Sequence, residues 1–433
     1  MSARDTALKT LIACRRQNAW SDGALKQNIQ ADGLDRRDAA LATKLCFGVL
    51  QNRLLLDAWI EAYTNRKPDK LQPVVLDILR LAVYQLRFLD KIPPSAAVNE
   101  AVEQTKRAAN PRAAGLVNAA LRGMLRSPDR LRLPADLSLK YSHPPALVEL
   151  LRENVGDDRL EALLASHNAF PPTCLQVNTL QSTSEEVTAV LEREGYSVSA
   201  HPWLRDCLLL TGGTPEKSEV FRDGSVYVQD PAARLAVLAA DPHPGMDVLD
   251  CCAAPGGKSF AAGIQMGGVG QITSCDLHPH KIELIKKGAE RLNLGLIQAE
   301  TRDASVSEPA WKHRFDLVIA DVPCSGLGVI RKKPDIRYKE LDALTKLPEI
   351  QGRILDNQAN YVKTGGVLLY STCTILKREN EEVVSAFLRT HSDFTLEAFE
   401  LPGDLQAAEG MLSLLPCDQG TDGFFIAKLR RKS

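Results

Sequence analysis

The 433-residue sequence has no uninterrupted apolar run near the ~18 residues of a membrane span, and its first residues lack the apolar core of a secretory signal. A membrane or exported protein is therefore not expected, and a reducing cytoplasm is the expected compartment. The ten cysteines never fall as Cys-x-x-Cys, so neither a disulfide framework nor a zinc site of the usual spacing is expected, and no metal is predicted. The G-x-G-x-x-G pattern of a dinucleotide fold is missing. Internal repeats and low-complexity tracts are missing too. Net charge is only -1, so overall charge says nothing about partners.

The distribution of charge says more. Residues 1–140 carry 23 Lys and Arg against 14 Asp and Glu, which points to a polyanion partner. The same region has apolar residues at three- and four-residue steps. One run is "RDAALATKLCFGVLQNRLLLDAWIEAY", another is "PVVLDILRLAVYQLRFL", and after Pro93-Pro94 a third restarts with Ser95 as the expected N-cap. A chain of this length predicts two or three domains. The first is a helical bundle over 1–140, followed by a helical linker over 141–165. Residues 166–225 alternate short strands with one amphipathic helix, "TSEEVTAVLEREG", and predict a small α+β unit.

Residues 226–433 alternate strands and helices. The strand segments "MDVLD", "QITSCD" and "FDLVIAD" each end in Asp, and "GGVLLYST" follows. This pattern predicts a doubly wound, mainly parallel α/β sheet, closed by a strand in "DGFFIAKLRR" that is expected to run antiparallel. Ligands of such sheets bind at the carboxyl ends of the strands. There the first strand enters Cys251-Cys252-Ala253-Ala254-Pro255-Gly256-Gly257-Lys258, whose small residues let backbone approach a ligand closely. Asp276 ends the next strand, about 20 residues on, where a carboxylate accepts from ribose hydroxyls. Asp303 follows a further strand-like segment between "QITSCD" and "FDLVIAD", placed to meet an adenine edge. An adenosine-containing cofactor is the expected ligand. Gly257-Lys258-Ser259 and Asp321 imitate a P-loop NTPase. However, Cys252 stands where that loop needs glycine, and Pro255 has no amide to give.

Two cysteines, Cys324 in "DVPCSG" and Cys373 in "YSTCT", follow the two later strands at the same edge. A thiolate added to carbon 6 of cytosine puts electron density on carbon 5, which is otherwise too poor a nucleophile to accept a methyl group. Either cysteine fits that role, with Asp321 placed near the base edge. Cys14, Cys46, Cys174, Cys207, Cys275 and Cys417 are read as buried small hydrophobes.

The motifs "DCCAAPGGKS", "DVPCSG", "IRKKPDI" and "YSTCT" resemble those of the NOL/NOP2/Sun RNA cytosine-C5 methyltransferases, over roughly 165–433. "FLDKIPPSAAVNEAVEQTKRAANPRAAGLVNAALR" makes the amino-terminal bundle resemble the RNA-binding NusB type. The resemblance implies a Rossmann-like methyltransferase domain that uses S-adenosylmethionine to methylate a cytosine of 16S ribosomal RNA. It implies Cys373 as nucleophile and Cys324 as the group assisting release. Cys252 through Lys258, Asp276, Asp303 and Asp321 would line the cofactor site, with Lys258 and Asp321 also touching the cytosine. A monomer without DNA or membrane partners is expected. Val322, Thr374, "KTGG" and "TRDA" depart from the usual family residues, and none removes a chemical group. "IRKKPDIRY" is expected to hold RNA phosphates. The competing readings are a non-catalytic RNA-binding or antitermination factor and the NTPase.

Overall fold

The computed structural model describes residues 1–17 and 19–432. It divides into two compact units, one of Met1–Phe170 with Ile330–Lys339 and the other of Pro171–Val329 with Glu340–Ser433.

The first unit is all helical. Its main helices are Ala3–Gln17, Ser21–Ala31, Arg36–Gln51, Arg53–Thr64, Pro73–Phe88, Pro94–Ala108 and Ala114–Arg126, with Pro145–Val155 and Asp157–Ser166 after them. Helix Pro73–Phe88 is the axis of the bundle, with every residue from Val75 to Gln85 buried. The charged members of that run are paired, as burial demands. Arg80 makes two 2.7 Å bonds to Asp57 and one of 2.9 Å to Asp77, which also accepts from Arg15 at 3.1 Å. Gly48 lets the neighbouring helix come close, since a Cβ there would stand 2.0 Å from the Tyr84 ring.

The long run from Arg37 to Tyr63 is two helices, broken at Asn52, whose backbone (φ -115°, ψ 18°) leaves the helical region while its side chain donates to the Gly48 carbonyl. One local expectation fails here. Ser95 is not an N-cap, because the helix already begins at Pro94, whose fixed φ suits the first position.

In the second unit a four-stranded antiparallel sheet comes first: β1 (Thr173–Val177), β2 (Ser197–Ala200), β3 (Cys207–Thr211) and β4 (Val226–Val228), in the order β2-β3-β1-β4. Helix Ser184–Arg193 packs Val187 and Leu191 onto it, and a Thr183–Glu186 capping box starts that helix.

The large sheet contains β5 (Asp247–Asp250), β6 (Gln271–Asp276), β7 (Ile297–Thr301), β8 (Phe315–Asp321), β9 (Val362–Thr372) and β10 (Phe394–Leu396). A hairpin of β11 (Phe399–Leu401) and β12 (Leu405–Ala407) precedes β13 (Met411–Leu414) and β14 (Phe424–Arg431). The order is β10-β14-β9-β8-β5-β6-β7, with β13 against β14. β5 through β9 run parallel and β14 antiparallel to β9. Alternate strand residues face different helix layers. Val248, Leu317 and Ile319 join Phe260 and Ile282 on one side, while Leu249, Val318 and Ala320 join Ile354 and Val384 on the other. The chain moves outward from β5 to β7 and then returns to β8 on the other flank of β5. The topological switch point therefore lies between the carboxyl ends of β5 and β8.

Candidate active site

Sheet register assembles the site. Asp321 on β8 is paired with Ser371 on β9, so the residues just beyond each strand emerge side by side. Ser371 Oγ donates to Asp321 Oδ1 at 2.8 Å, and Lys258 Nζ reaches Asp321 Oδ2 at 2.6 Å. Beyond the strand ends, the Cys324 and Cys373 sulfurs stand 3.3 Å apart, and both residues are partly exposed. Gly328 N donates to the Cys373 carbonyl at 3.0 Å, and Gly423 N donates to Gly328 O at 2.9 Å. This stack tolerates no side chain, as a Cβ on Gly328 would lie 1.9 Å from the Gly423 carbonyl oxygen.

The two thiols are not equivalent. The bond to Cys324 first, with help from Lys258, draws the Cys373 thiol below its ordinary value against burial and the Asp321 and Asp422 charges. Cys324 is pushed well up by that same bond, then by burial, the Cys373 charge and the Glu379 charge. Among the charges around the pair, Lys258 acts on Cys373 and Glu379 on Cys324.

Beside them, Ala254-Pro255 is a cis peptide and Gly256 takes a φ of +113°. A side chain at Gly256 would strike the Phe260 ring at 2.3 Å. The loop ends where helix Gly257–Gln265 begins, with its first amides pointing back at the loop. Ser259 Oγ donates to Asp250 Oδ2 at 2.7 Å, and burial pushes the Asp250 carboxyl up to about 7 despite that bond. Asp276, at the end of β6, is 6% exposed and accepts from His278 N at 3.2 Å. Asp303 is exposed on the loop after β7, where both the amide and the hydroxyl of Ser305 donate to its Oδ1 and hold its carboxyl below the usual range.

Thus Lys258, Asp321, Cys324 and Cys373 form one cluster. Cys252 through Gly257 and Asp276 border the switch point, and Asp303 sits farther out at the same sheet edge. Sequence reading passed over Ser371, Glu379 and Gln351. Glu379 and Gln351 lie in polar helical stretches, where nothing in the spacing marks a buried acid or amide.

The expectation for "IRKKPDIRY" is overturned. Of its basic residues Arg331 and Arg337 are buried, and only Lys333 is exposed. Arg337 donates to the carbonyls of Gln51, Tyr141, Ser142 and His167. Ile330 and Ile336 are also buried, which makes the segment a strap of the helical unit. Four of the cysteines read as small hydrophobes are buried, but Cys14 and Cys417 are partly exposed.

A doubly wound sheet with a glycine loop at its switch point makes a Rossmann-type domain, and the antiparallel β14 set between β9 and β10 is the methyltransferase variant of it. The family model described as 16S rRNA methyltransferase RsmB/F matches residues 237–430. The NusB family model matches 1–126, and the RsmF/B-like ferredoxin-like domain matches 143–216. The chain is 40% identical, over all of its length and 99% of the relative's, to the probable ribosomal RNA small subunit methyltransferase B of Bacillus subtilis. It is 34% identical to the ribosomal RNA small subunit methyltransferase B of Vibrio cholerae, over 92% of this chain and 90% of that one. It therefore belongs to the ribosomal RNA small subunit methyltransferase B family. Among solved structures, PH0851 matches with a TM-score of 0.81 at 26% identity over 98% of both chains. NSun6 from Pyrococcus horikoshii shares the fold, with a TM-score of 0.58 at 19% identity over 67% of this chain and 98% of that one. Among the described residues no helix is long and apolar enough to cross a membrane.

Proposed function

We propose that this chain methylates carbon 5 of a cytosine in 16S ribosomal RNA, with S-adenosylmethionine as cofactor and Cys373 as nucleophile. The observation that carries the reading is the unequal sulfur pair, 3.3 Å apart at the sheet edge that holds the glycine loop. The residues fit the cofactor. Gln229 Oε1 is buried beside Gly257 with no partner among the described residues, an acceptor suited to a donor group of a ligand. Cys252 to Lys258 would hold the cofactor by backbone, Asp276 by its carboxylate at the ribose, and Asp303 at the adenine edge. When bound, the cofactor supplies an electrophilic sulfonium methyl.

Cys373 adds to carbon 6 as the thiolate. As the thiolate adds, a proton carried on Asp321 passes to N3 and neutralises the charge pushed into the ring; the carboxylate left behind, held by Lys258 and Ser371, accepts from that N3–H and takes the proton back when the base is released. Electron density then lies on carbon 5, the carbon that takes the methyl group. On release the C5 proton passes to water and its bond pair forms the C5–C6 double bond. The C6–sulfur pair returns to Cys373, where the Cys324 S–H donates to it. The basic helical domain of residues 1–140 and the small α+β unit supply RNA contacts away from the base.

Cys324→Ala tests this. With ribosomal RNA and cofactor it should accumulate a protein–RNA adduct that survives denaturing electrophoresis, and Cys373→Ala should form none. Normal turnover by Cys324→Ala without adduct would remove Cys324 from the release step.

A further inference from the structure

Behind the sulfur pair lies a buried acid that the mechanism above does not use. Glu379 has no exposed surface. Its Oε2 accepts from Ser325 N at 2.9 Å and from Gln351 Nε2 at 2.8 Å. Gln351 Nε2 also donates to the Pro323 carbonyl at 3.0 Å, so acid and amide together bracket Pro323-Cys324-Ser325. From the other side Ser325 Oγ meets Thr374 Oγ1 at 2.7 Å, which ties the same turn to the residue after Cys373. The Glu379 backbone is fixed as well, because Tyr370 OH donates to its carbonyl at 2.6 Å. Its Oε1 has no hydrogen-bond partner among the described residues. A carboxylate left half-satisfied in a dry site is destabilising by itself, and its field reaches neighbouring groups little screened.

We propose that Glu379 is a positioning residue: it pins the Pro323–Ser325 turn and keeps the thiol proton on Cys324, so that Cys324 serves as donor and Cys373 as thiolate. The inference rests on the covalent reading above. Without the Glu379 charge the proton is shared more evenly, and Cys324 is less often an S–H when Cys373 must leave carbon 6. The upward push of the nearby charge on Cys324 agrees with this. The titratable groups facing the pair are Glu379 and Tyr370 on the Cys324 side, and Asp321, Lys258 and Asp422 on the Cys373 side.

The test is iodoacetamide labelling of the full-length protein across pH, with the two sites resolved by mass spectrometry, alongside the adduct assay. Glu379→Gln keeps the shape and an acceptor for Ser325 N but removes the charge. It should lower the Cys373-to-Cys324 labelling ratio about tenfold, which corresponds to one pH unit, and leave a faint adduct band. Gln351→Met keeps the charge and removes one donor from it, so it should move Cys324 labelling to higher pH. An unchanged ratio in folded Glu379→Gln, or no rise of the Cys324 profile in Gln351→Met, overturns the proposal. The second result decides alone if Glu379→Gln does not fold. If Cys324→Ala traps no adduct, the covalent reading has failed instead. If it traps adduct while Glu379→Gln leaves labelling and turnover as in wild type, only the Glu379 role has failed.

Discussion

Acid should loosen the helical unit through two histidines. His143 and His167 are both fully buried, with His143 Nε2 3.0 Å from His167 Nδ1. His143 Nδ1 faces the Tyr141 carbonyl at 2.8 Å and must donate to it. Its Nε2 is then the bare nitrogen of a neutral ring, and His167 Nδ1–H donates to that nitrogen. His167 Nε2 is left buried without a partner among the described residues. Protonating His143 would set N–H against N–H. Burial first, then the Arg337 charge, hold both rings well below the ordinary 6.5. Folded, both stay neutral; unfolded, both take up protons near pH 6.5. Stability is therefore full above that value and falls as pH drops through it. At pH 5.5 each ring costs about 1.4 kcal/mol relative to neutral pH, or about 2.8 kcal/mol for the pair. Hydrogen exchange of peptides spanning 141–167 in the full chain, corrected for intrinsic rates, measures this at pH 7.5 and 5.5. A loss of protection below about 0.5 kcal/mol would refute the neutral, mutually bonded pair.

Arg337→Met should destabilise the helical unit by about 2–4 kcal/mol, because the carbonyls it serves stay buried; urea unfolding followed by exchange at 330–339 reads it. Gly328→Ala should cut methylation at least tenfold while cofactor affinity by calorimetry holds, since the added carbon displaces the strand-end turn carrying Cys373 and not the glycine loop. Asp276→Ala should do the reverse, weakening S-adenosylmethionine binding about tenfold or more in the same calorimetry. Single-turnover methylation at saturating cofactor should then be nearly restored.

Much of the catalytic half was legible because its signals are local. An apolar strand ending in Asp, glycines after it, and Cys beyond a strand end each place a group at the sheet's carboxyl edge without reference to any distant residue. The final antiparallel strand was legible for the same reason. The identity of the nucleophile was not, since the residues left Cys324 and Cys373 equivalent. What distinguishes their surroundings, beyond the bond they share, is Lys258 on the Cys373 side and Glu379 on the Cys324 side, and neither is near its sulfur in sequence. Glu379 itself reads in the sequence as one more acid in a polar run.

The basic segment 330–338 shows where local reading stops. Arg and Lys close together normally mean a solvated or phosphate-facing loop, and that prior is sound until free backbone carbonyls elsewhere need donors. The ends of helices and turns near Gln51, Tyr141, Ser142 and His167 supply such carbonyls, from positions remote in sequence, and Arg337 satisfies them. The elements, the sheet class and the residue types at its edge could be read along the chain, because those follow from periodicity and backbone preference. Which charged groups surround each sulfur, and which cations are buried, follow from the packing alone, because desolvation and hydrogen-bond partners depend on residues up to hundreds of positions apart.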